Sequence, residues 1–232
     1  MDAASLRRAL ARRFSREEAT GLTLTAGFLA CAALVALFGL VAREIPVSGA
    51  GPLDRAVTLW ARGLPLPGGV AAGRAITFFG DSRFVYPTTV LVAAVLALRG
   101  RRVSAILFFA SVVGGGLLEV LLKLVYRRPR PGLLPLLVRV DSFSFPSGHA
   151  TLACVFFGGL AAVVFHVTPR RDARTAAVAA ATLSAGSVGL SRMYLGVHWA
   201  TDVAAGFLIG LFWVVVCGTL TEVFARRRRS SA

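Results

Sequence analysis

The chain is poor in acid, in lysine and in cysteine. Only 11 of its 232 residues are Asp or Glu, against 26 basic ones, and Lys123 is the single lysine. Charged residues amount to 16%, below the roughly 25% of an average soluble domain. That shortage argues against an ordinary soluble globule. Disorder is excluded from the other direction, since 56% of the residues are hydrophobic and the mean hydropathy is +0.72. Cys31, Cys154 and Cys217 each lie in an apolar run and none forms a C-x-x-C pair. A disulfide framework and a cysteine zinc site are therefore not expected, and the thiols read as small buried hydrophobes.

What is present is a series of long apolar runs punctuated by arginine clusters. The net charge of +15 could mark a nucleic-acid binder. However, the arginines fall between apolar runs and no basic face carries a binding motif, so the partner implied is the bilayer and not nucleic acid. Runs at 21–42, 84–98, 103–122, 150–167, 175–191 and 199–224 predict an all-α integral membrane bundle of six transmembrane helices. Residues 53–64 alternate charge and apolarity at helical spacing, which predicts a short interfacial amphipathic helix between the first two spans. Residues 70–79 form a short apolar piece, and Asp81 reads as a helix cap. Pro87 is placed in the first turn of the second span, where proline is tolerated.

One domain, 21–225, is expected between a basic N-terminal segment (1–20, itself a candidate interfacial helix) and a basic tail (226–232). The first apolar run is too long for a signal-peptide core. With six spans, fifteen of the basic residues fall on the side of both termini, which the positive-inside rule makes cytoplasmic in a multi-pass cell-membrane protein. Gly114-Gly115-Gly116, Gly186 with Gly189, and Gly206-x-x-x-Gly210 predict close helix packing.

The polar residues left on the opposite face form a chemical set. Lys123 to Pro131 follows the third span, Phe145 to His149 precedes the fourth, and Ser191 to Asp202 joins the fifth to the sixth. Lys123, Arg130 and Arg192 supply positive charge and directional donors suited to phosphate oxygens. Ser147 and Gly148 stand where the fourth helix begins, a position that offers free backbone N–H groups and a positive dipole end. His149 and His198 can move protons near neutral pH. Asp202 follows His198 by four residues, so a helix would place both on one face. The remaining acids on this face, Glu44, Asp54, Asp81 and Asp141, are scattered and form no metal-ligand cluster, so neither a metal nor a cofactor is expected.

These segments read K-x6-R-P (Lys123 to Pro131), P-S-G-H (Pro146 to His149) and S-R-x5-H-x3-D (Ser191 to Asp202). In order and spacing they resemble the three signature motifs of the type 2 phosphatidic acid phosphatase superfamily. The resemblance implies a metal-independent lipid phosphatase. In it His198 is the nucleophile, Asp202 orients it, and His149 is the general acid and base. Lys123, Arg130, Ser147, Gly148 and Arg192 hold the phosphate. The substrates implied are phosphate monoesters or diphosphates of lipids: phosphatidic acid, phosphatidylglycerol phosphate or a polyprenyl diphosphate. Some family members devoted to undecaprenyl diphosphate carry Asp at the position of Gly148, which favours the phospholipid branch here. A phosphotransferase on the same scaffold would carry the same motifs. A transporter is disfavoured because the charges gather at one face and no inverted repeat is visible. The superfamily also holds soluble vanadium haloperoxidases, so vanadate is expected to inhibit. Oligomeric state has no signature in the sequence.

Several neighbours of the motifs have two readings. Glu119, one helical turn before Lys123, is expected to pair with it and support the site, with Ser191 as a second supporting candidate. Arg127 and Arg128 touch a second phosphate, lipid headgroups or water. His166 reads as interfacial at the other end of its span, and Trp60, Trp199 and Trp213 as belt or packing residues. Phe143 and Phe145 either dip into lipid or pack the loop.

Overall fold

The computed structural model describes residues 16–230 except 44, 46–49, 133–136 and 139, and the described part is helical throughout. The N-terminal arginines at 7–13, Glu44 and the side chains of the arginine tail lie outside the described residues. The helices are α1 (Arg16–Arg43), α2 (Pro52–Arg62), α3 (Gly69–Phe78), α4 (Ser82–Leu98), α5 (Arg102–Tyr126), α6 (Gly148–Val167), α7 (Arg171–Tyr194) and α8 (Ala200–Ser230).

Helix boundaries follow local chemistry. Pro52 opens α2 at a position whose N–H needs no helical partner. Asp81 caps α4 as expected, its carboxylate accepting from the Arg83 N–H at 2.9 Å. Because that cap starts the helix at Ser82, Pro87 lies inside α4 and not in its first turn. α5 ends where Arg127 turns left-handed at φ 44°, sending the chain back across the end of the bundle.

Five stretches among the described residues are long and apolar enough to cross a membrane: Thr20–Arg43, Gly69–Leu98, Arg102–Tyr126, Gly148–Val167 and Ala200–Phe224. The second of these joins α3 and α4 through the break at Phe79–Asp81 and is longer than the expected span at 84–98. The fifth expected span corresponds to α7. It has 24 residues, enough length to cross, but its alanines, serines and arginines keep it below the apolarity of the others. α7 packs along α6, with α3 and α2 against its other side.

Close packing centres on α5 and α8. A Cβ on Gly114 would fall 2.4 Å from Trp213 Nε1 on α8, one on Gly115 2.6 Å from Val155 on α6, and one on Gly116 2.4 Å from the Tyr86 hydroxyl on α4. Three successive glycines, turned by about 100° each, thus admit three different helices. Gly206 and Gly210 bring α8 onto the first turns of α6. Gly189 lies against Phe207 and Val203, whereas Gly186 faces open space and takes no part in the expected packing. Between α4, α5 and α6 the core is Val85, Phe108, Val112, Leu152, Val155 and Phe156.

The amphipathic helix expected between the first two spans is present as α2, with its polar face turned inward. Asp54, Thr58 and Ala61 are buried at helical spacing, while Leu53, Leu59 and Trp60 are exposed. Such a face suits a helix lying against lipid at the membrane surface.

Candidate active site

All three motif segments meet at one end of the bundle. His198 lies in the connection between α7 and α8 and is 1% exposed. Its Nε2 stands 3.2 Å from Arg130 Nη1. A guanidinium only donates, so Nε2 holds its lone pair toward Arg130 and the proton resides on Nδ1. Nδ1 faces Asp202 Oδ2 at 3.4 Å, four residues on, as the spacing predicts. Burial pushes the His198 imidazole well below its ordinary pKa, and the Arg192, Arg130 and Lys123 cations push it the same way. The neutral form, which carries the free lone pair, is therefore the one favoured near pH 7.

Arg130 fixes the geometry of this corner. Its Nη1 donates to the Val197 carbonyl at 2.6 Å, its Nε to the Ser142 carbonyl at 2.7 Å and its Nη2 to the Ser142 hydroxyl at 3.0 Å. One side chain from the α5–α6 connection so ties the loop before α6 to the loop before α8.

The remaining cations and the start of α6 face the same place. Lys123 pairs with Glu119 at 2.5 Å, the expected i, i+4 contact. A Cβ on Gly148 would lie 2.7 Å from Glu119 Oε1 and 3.4 Å from Lys123 Nζ, so the N-terminus of α6 lies close against this pair and a larger residue there would have to displace the end of the Glu119 side chain. Ser147 is the N-cap residue of α6 and is fully buried, yet its hydroxyl has no protein partner. Arg192 on α7, 3% exposed, donates through Nη1 to Thr77 Oγ1 at 3.1 Å, while its Nε has no protein partner. Buried donors without acceptors are costly unless a ligand supplies the acceptor, and a phosphate oxygen is an acceptor of the right charge.

His149, in the first turn of α6, places Nε2 3.5 Å from Asp81 Oδ2. Asp81 is thus both the cap of α4 and the group that holds His149. Gly80 allows this approach, since a Cβ there would lie 2.6 Å from the His149 carbonyl oxygen.

Other residues are placed elsewhere. The Ser191 hydroxyl donates to the Val188 carbonyl of its own helix at 2.6 Å, and no contact brings it to the phosphate-facing groups. Arg127 is exposed and donates from Nε to the Leu124 carbonyl at 3.0 Å. Arg128 is buried and bound to Asp54, Thr201 and Asp202, so it meets neither headgroups nor bulk water. Phe145 is fully buried against Tyr126 and Phe38, a packing residue, while Phe143 is exposed. His166 sits at the far end of α6, with Nε2 3.7 Å from Glu222.

Sequence reasoning missed two participants. Ser144 is buried and its hydroxyl donates to Asp202 Oδ2 while lying 3.5 Å from His198 Nδ1. Asp54, dismissed as one of the scattered acids, is 1% exposed and reaches the rear of the site. Neither belongs to a motif. The available signal for Asp54 was an acid on the face of an amphipathic helix shared with Thr58 and Ala61, away from the charged rim.

Comparison with known proteins places the chain in a family. Residues 104–225, which hold all three motifs, match the family model of the PAP2 superfamily. Over 155 residues the chain is 34% identical to phosphatidylglycerophosphatase B of Bacillus subtilis, a match covering 66% of this chain and 76% of that protein. Decaprenylphosphoryl-5-phosphoribose phosphatase of Mycobacterium tuberculosis is 32% identical over 153 residues, 62% of this chain and 76% of that one. The crystal structure of a transmembrane PAP2-type phosphatidylglycerolphosphate phosphatase from Bacillus subtilis superposes with a TM-score of 0.74 at 31% identity, covering 83% of this chain and 96% of that chain. With the match extending over more than half of its length, the chain belongs to the PAP2 superfamily.

Proposed function

We propose that the protein is a lipid phosphatase that hydrolyses a phosphate monoester or diphosphate of a lipid at the outer face of the membrane, through a phosphohistidine on His198. The observation that carries this reading is the convergence of a neutral, buried histidine with Arg130, Lys123, Arg192 and the unpartnered Ser147 hydroxyl. The similar proteins are named for phosphate removal from lipids, which supports the substrate class.

In the proposed reaction His198 Nε2 attacks phosphorus, forming an N–P bond as the bond to the lipid oxygen breaks. His149 gives the leaving oxygen its proton. Asp202 and Ser144 stabilise the charge that develops on the imidazole through Nδ1. Water then attacks the phosphohistidine, His149 takes its proton, the N–P bond breaks and inorganic phosphate leaves. Lys123, Arg130, Arg192, Ser147 and the Gly148 N–H stabilise the phosphoryl oxygens throughout. The topology that goes with this reading has six crossings, with α7 as the fifth, both termini cytoplasmic and the site on the opposite side.

Phosphate release from phosphatidic acid, phosphatidylglycerol phosphate and undecaprenyl diphosphate by detergent-purified protein tests the reading. The expected result is release that persists in EDTA and is inhibited by vanadate, with the ranking of the three lipids naming the branch. Release that stops in EDTA would refute the metal-independent route, and release that requires an added lipid or sugar acceptor would replace hydrolysis by transfer.

The Glu119–Lys123 pair predicts a smaller effect. Glu119→Gln removes the charge that fixes Lys123 while keeping the side-chain shape. A loss of about tenfold in kcat/KM is expected, in line with the ~1.5–3 kcal/mol of a charge-assisted contact that is weakened and not abolished. Unchanged steady-state kinetics in that variant would remove Glu119 from the site.

A further inference from the structure

Behind His198 lies a buried ion cluster in which only Asp202 has a part in the proposed reaction. Arg128 is 2% exposed and binds in two directions. Its Nη2 meets Asp54 Oδ2 at 2.5 Å, and its Nη1 meets Asp202 Oδ1 and Thr201 Oγ1, each at 2.7 Å. Asp54 also accepts from the Thr201 N–H at 2.9 Å and from the Thr201 hydroxyl. The Arg128 guanidinium carbon lies 5.7 Å from the centre of the Trp199 ring. One guanidinium from the α5–α6 connection is thus shared by a carboxylate from α2 and one from α8.

Burying three charges is expensive, and a well-packed apolar cluster often serves stability equally well. The arrangement of Asp202 suggests what the cluster does. Its two oxygens are divided. Oδ1 is held by Arg128, while Oδ2 receives the Trp199 N–H at 2.8 Å, the Ser144 hydroxyl and His198 Nδ1. Without the clamp on Oδ1 the carboxylate is held through Oδ2 alone, about a terminal torsion that is broad and roughly two-fold. Arg128 in turn is held by Asp54, which the inward polar face of α2 delivers.

We propose that Asp54 is a positioning residue for hydrolysis: through Arg128 it holds the Asp202 carboxylate in the orientation that presents Oδ2 to His198 Nδ1. This rests on the reading of His198 as nucleophile. It assigns α2 a task beyond lying at the membrane surface, and it makes the segment before α3 a working part of a site whose motifs all fall after residue 122.

A double-mutant cycle on the full-length protein in detergent tests the proposal, with rates expressed per folded protein. Asp54→Asn is expected to lower kcat about tenfold and to leave KM within about twofold, the signature of an interaction used in the transition state. In the Asp202→Asn background the same substitution is expected to cost less than about twofold, because its effect travels through Asp202. An unchanged kcat in the single variant would overturn the proposal. So would a full tenfold loss in both backgrounds, which is what a purely structural role predicts. If Asp54→Asn does not fold, Arg128→Lys passes through the same cycle with the same expectations, since lysine keeps the charge but has one nitrogen on a flexible stem in place of the rigid fork that gives Nη2 to Asp54 and Nη1 to Asp202. His198→Ala, run in parallel, separates the two ideas. Activity surviving there refutes the nucleophile and this inference with it, whereas a dead His198→Ala beside a normal Asp54→Asn refutes the inference alone.

Discussion

His198→Ala is expected to lower kcat for lipid phosphate release by about 10⁴-fold or more, the scale on which covalent catalysis collapses when its nucleophile or paired histidine is removed. The loss should appear in kcat and not mainly in KM, because Arg130, Arg192 and Lys123 remain to bind the phosphate. The thermal midpoint of the variant is measured alongside, since His198 is buried between Arg130 and Asp202 and the rate is taken on folded protein. The wild-type pH profile follows from the same environment. An ordinary imidazole loses its lone pair below about pH 6.5. The folded pKa of His198 is depressed, so its neutral form persists as the pH falls through that value. The acid limb of kcat/KM set by His198 is therefore expected below 6.5, and a His198-dependent limb at or above 6.5 would contradict the burial argument.

Arg192→Met carries the next largest effect. The guanidinium is almost wholly buried, Thr77 takes one of its donors, and Nε points to no protein acceptor. In the proposed complex that free donor meets a phosphoryl oxygen whose charge grows in the transition state. Removing one preorganised donor of this kind costs about 10²–10³ in kcat, roughly 2.7–4 kcal/mol. Arg192→Lys should recover only part of the loss, because an ammonium restores the charge and not the fork. Steady-state kinetics on the three forms read this directly. A loss of less than about threefold in Arg192→Met would mean that Arg192 only ties α7 to Thr77.

Much of the bundle was legible because lipid imposes long apolar runs, and such runs survive any detail of packing. The fifth expected span falls on α7, which is long enough to cross but is too rich in small and polar residues to reach the apolarity of the other five stretches. The break between α3 and α4 was visible as Gly80-Asp81-Ser82, but the capping role of Asp81 hid its second contact, since nothing local indicates that His149 will arrive from 68 residues away. Gly206-x-x-x-Gly210 was readable because small residues one turn apart suit close approach, whereas Gly186, three residues before Gly189, faces open space.

For the site, the residues inside motifs were found by spacing, and those outside were not. Asp202 follows His198 by four residues, and the contact anticipated from that spacing is present although His198 stands in the turn before α8 and not on the helix. Ser144 lies in the loop before the Pro146-Ser147-Gly148 turn and has no periodicity to betray it. Arg128 stood next to Arg127, and only burial separates the two: one turns into the protein to meet Asp54 and Asp202, the other stays at the exposed end of α5. Sequence adjacency gives equal chemistry but says nothing about which side chain the backbone turn at Arg127 sends inward.

The measurement closest to the central claim is the covalent intermediate itself. Protein incubated briefly with a lipid substrate labelled at phosphorus and quenched in alkali should retain label that is stable to base and released by acid, as a phosphohistidine is. Peptide mapping should place it at His198, and His198→Ala should carry none. Retained label in His198→Ala, or turnover with no trapped label at any quench time in a His149→Ala variant built to slow its hydrolysis, would contradict the account.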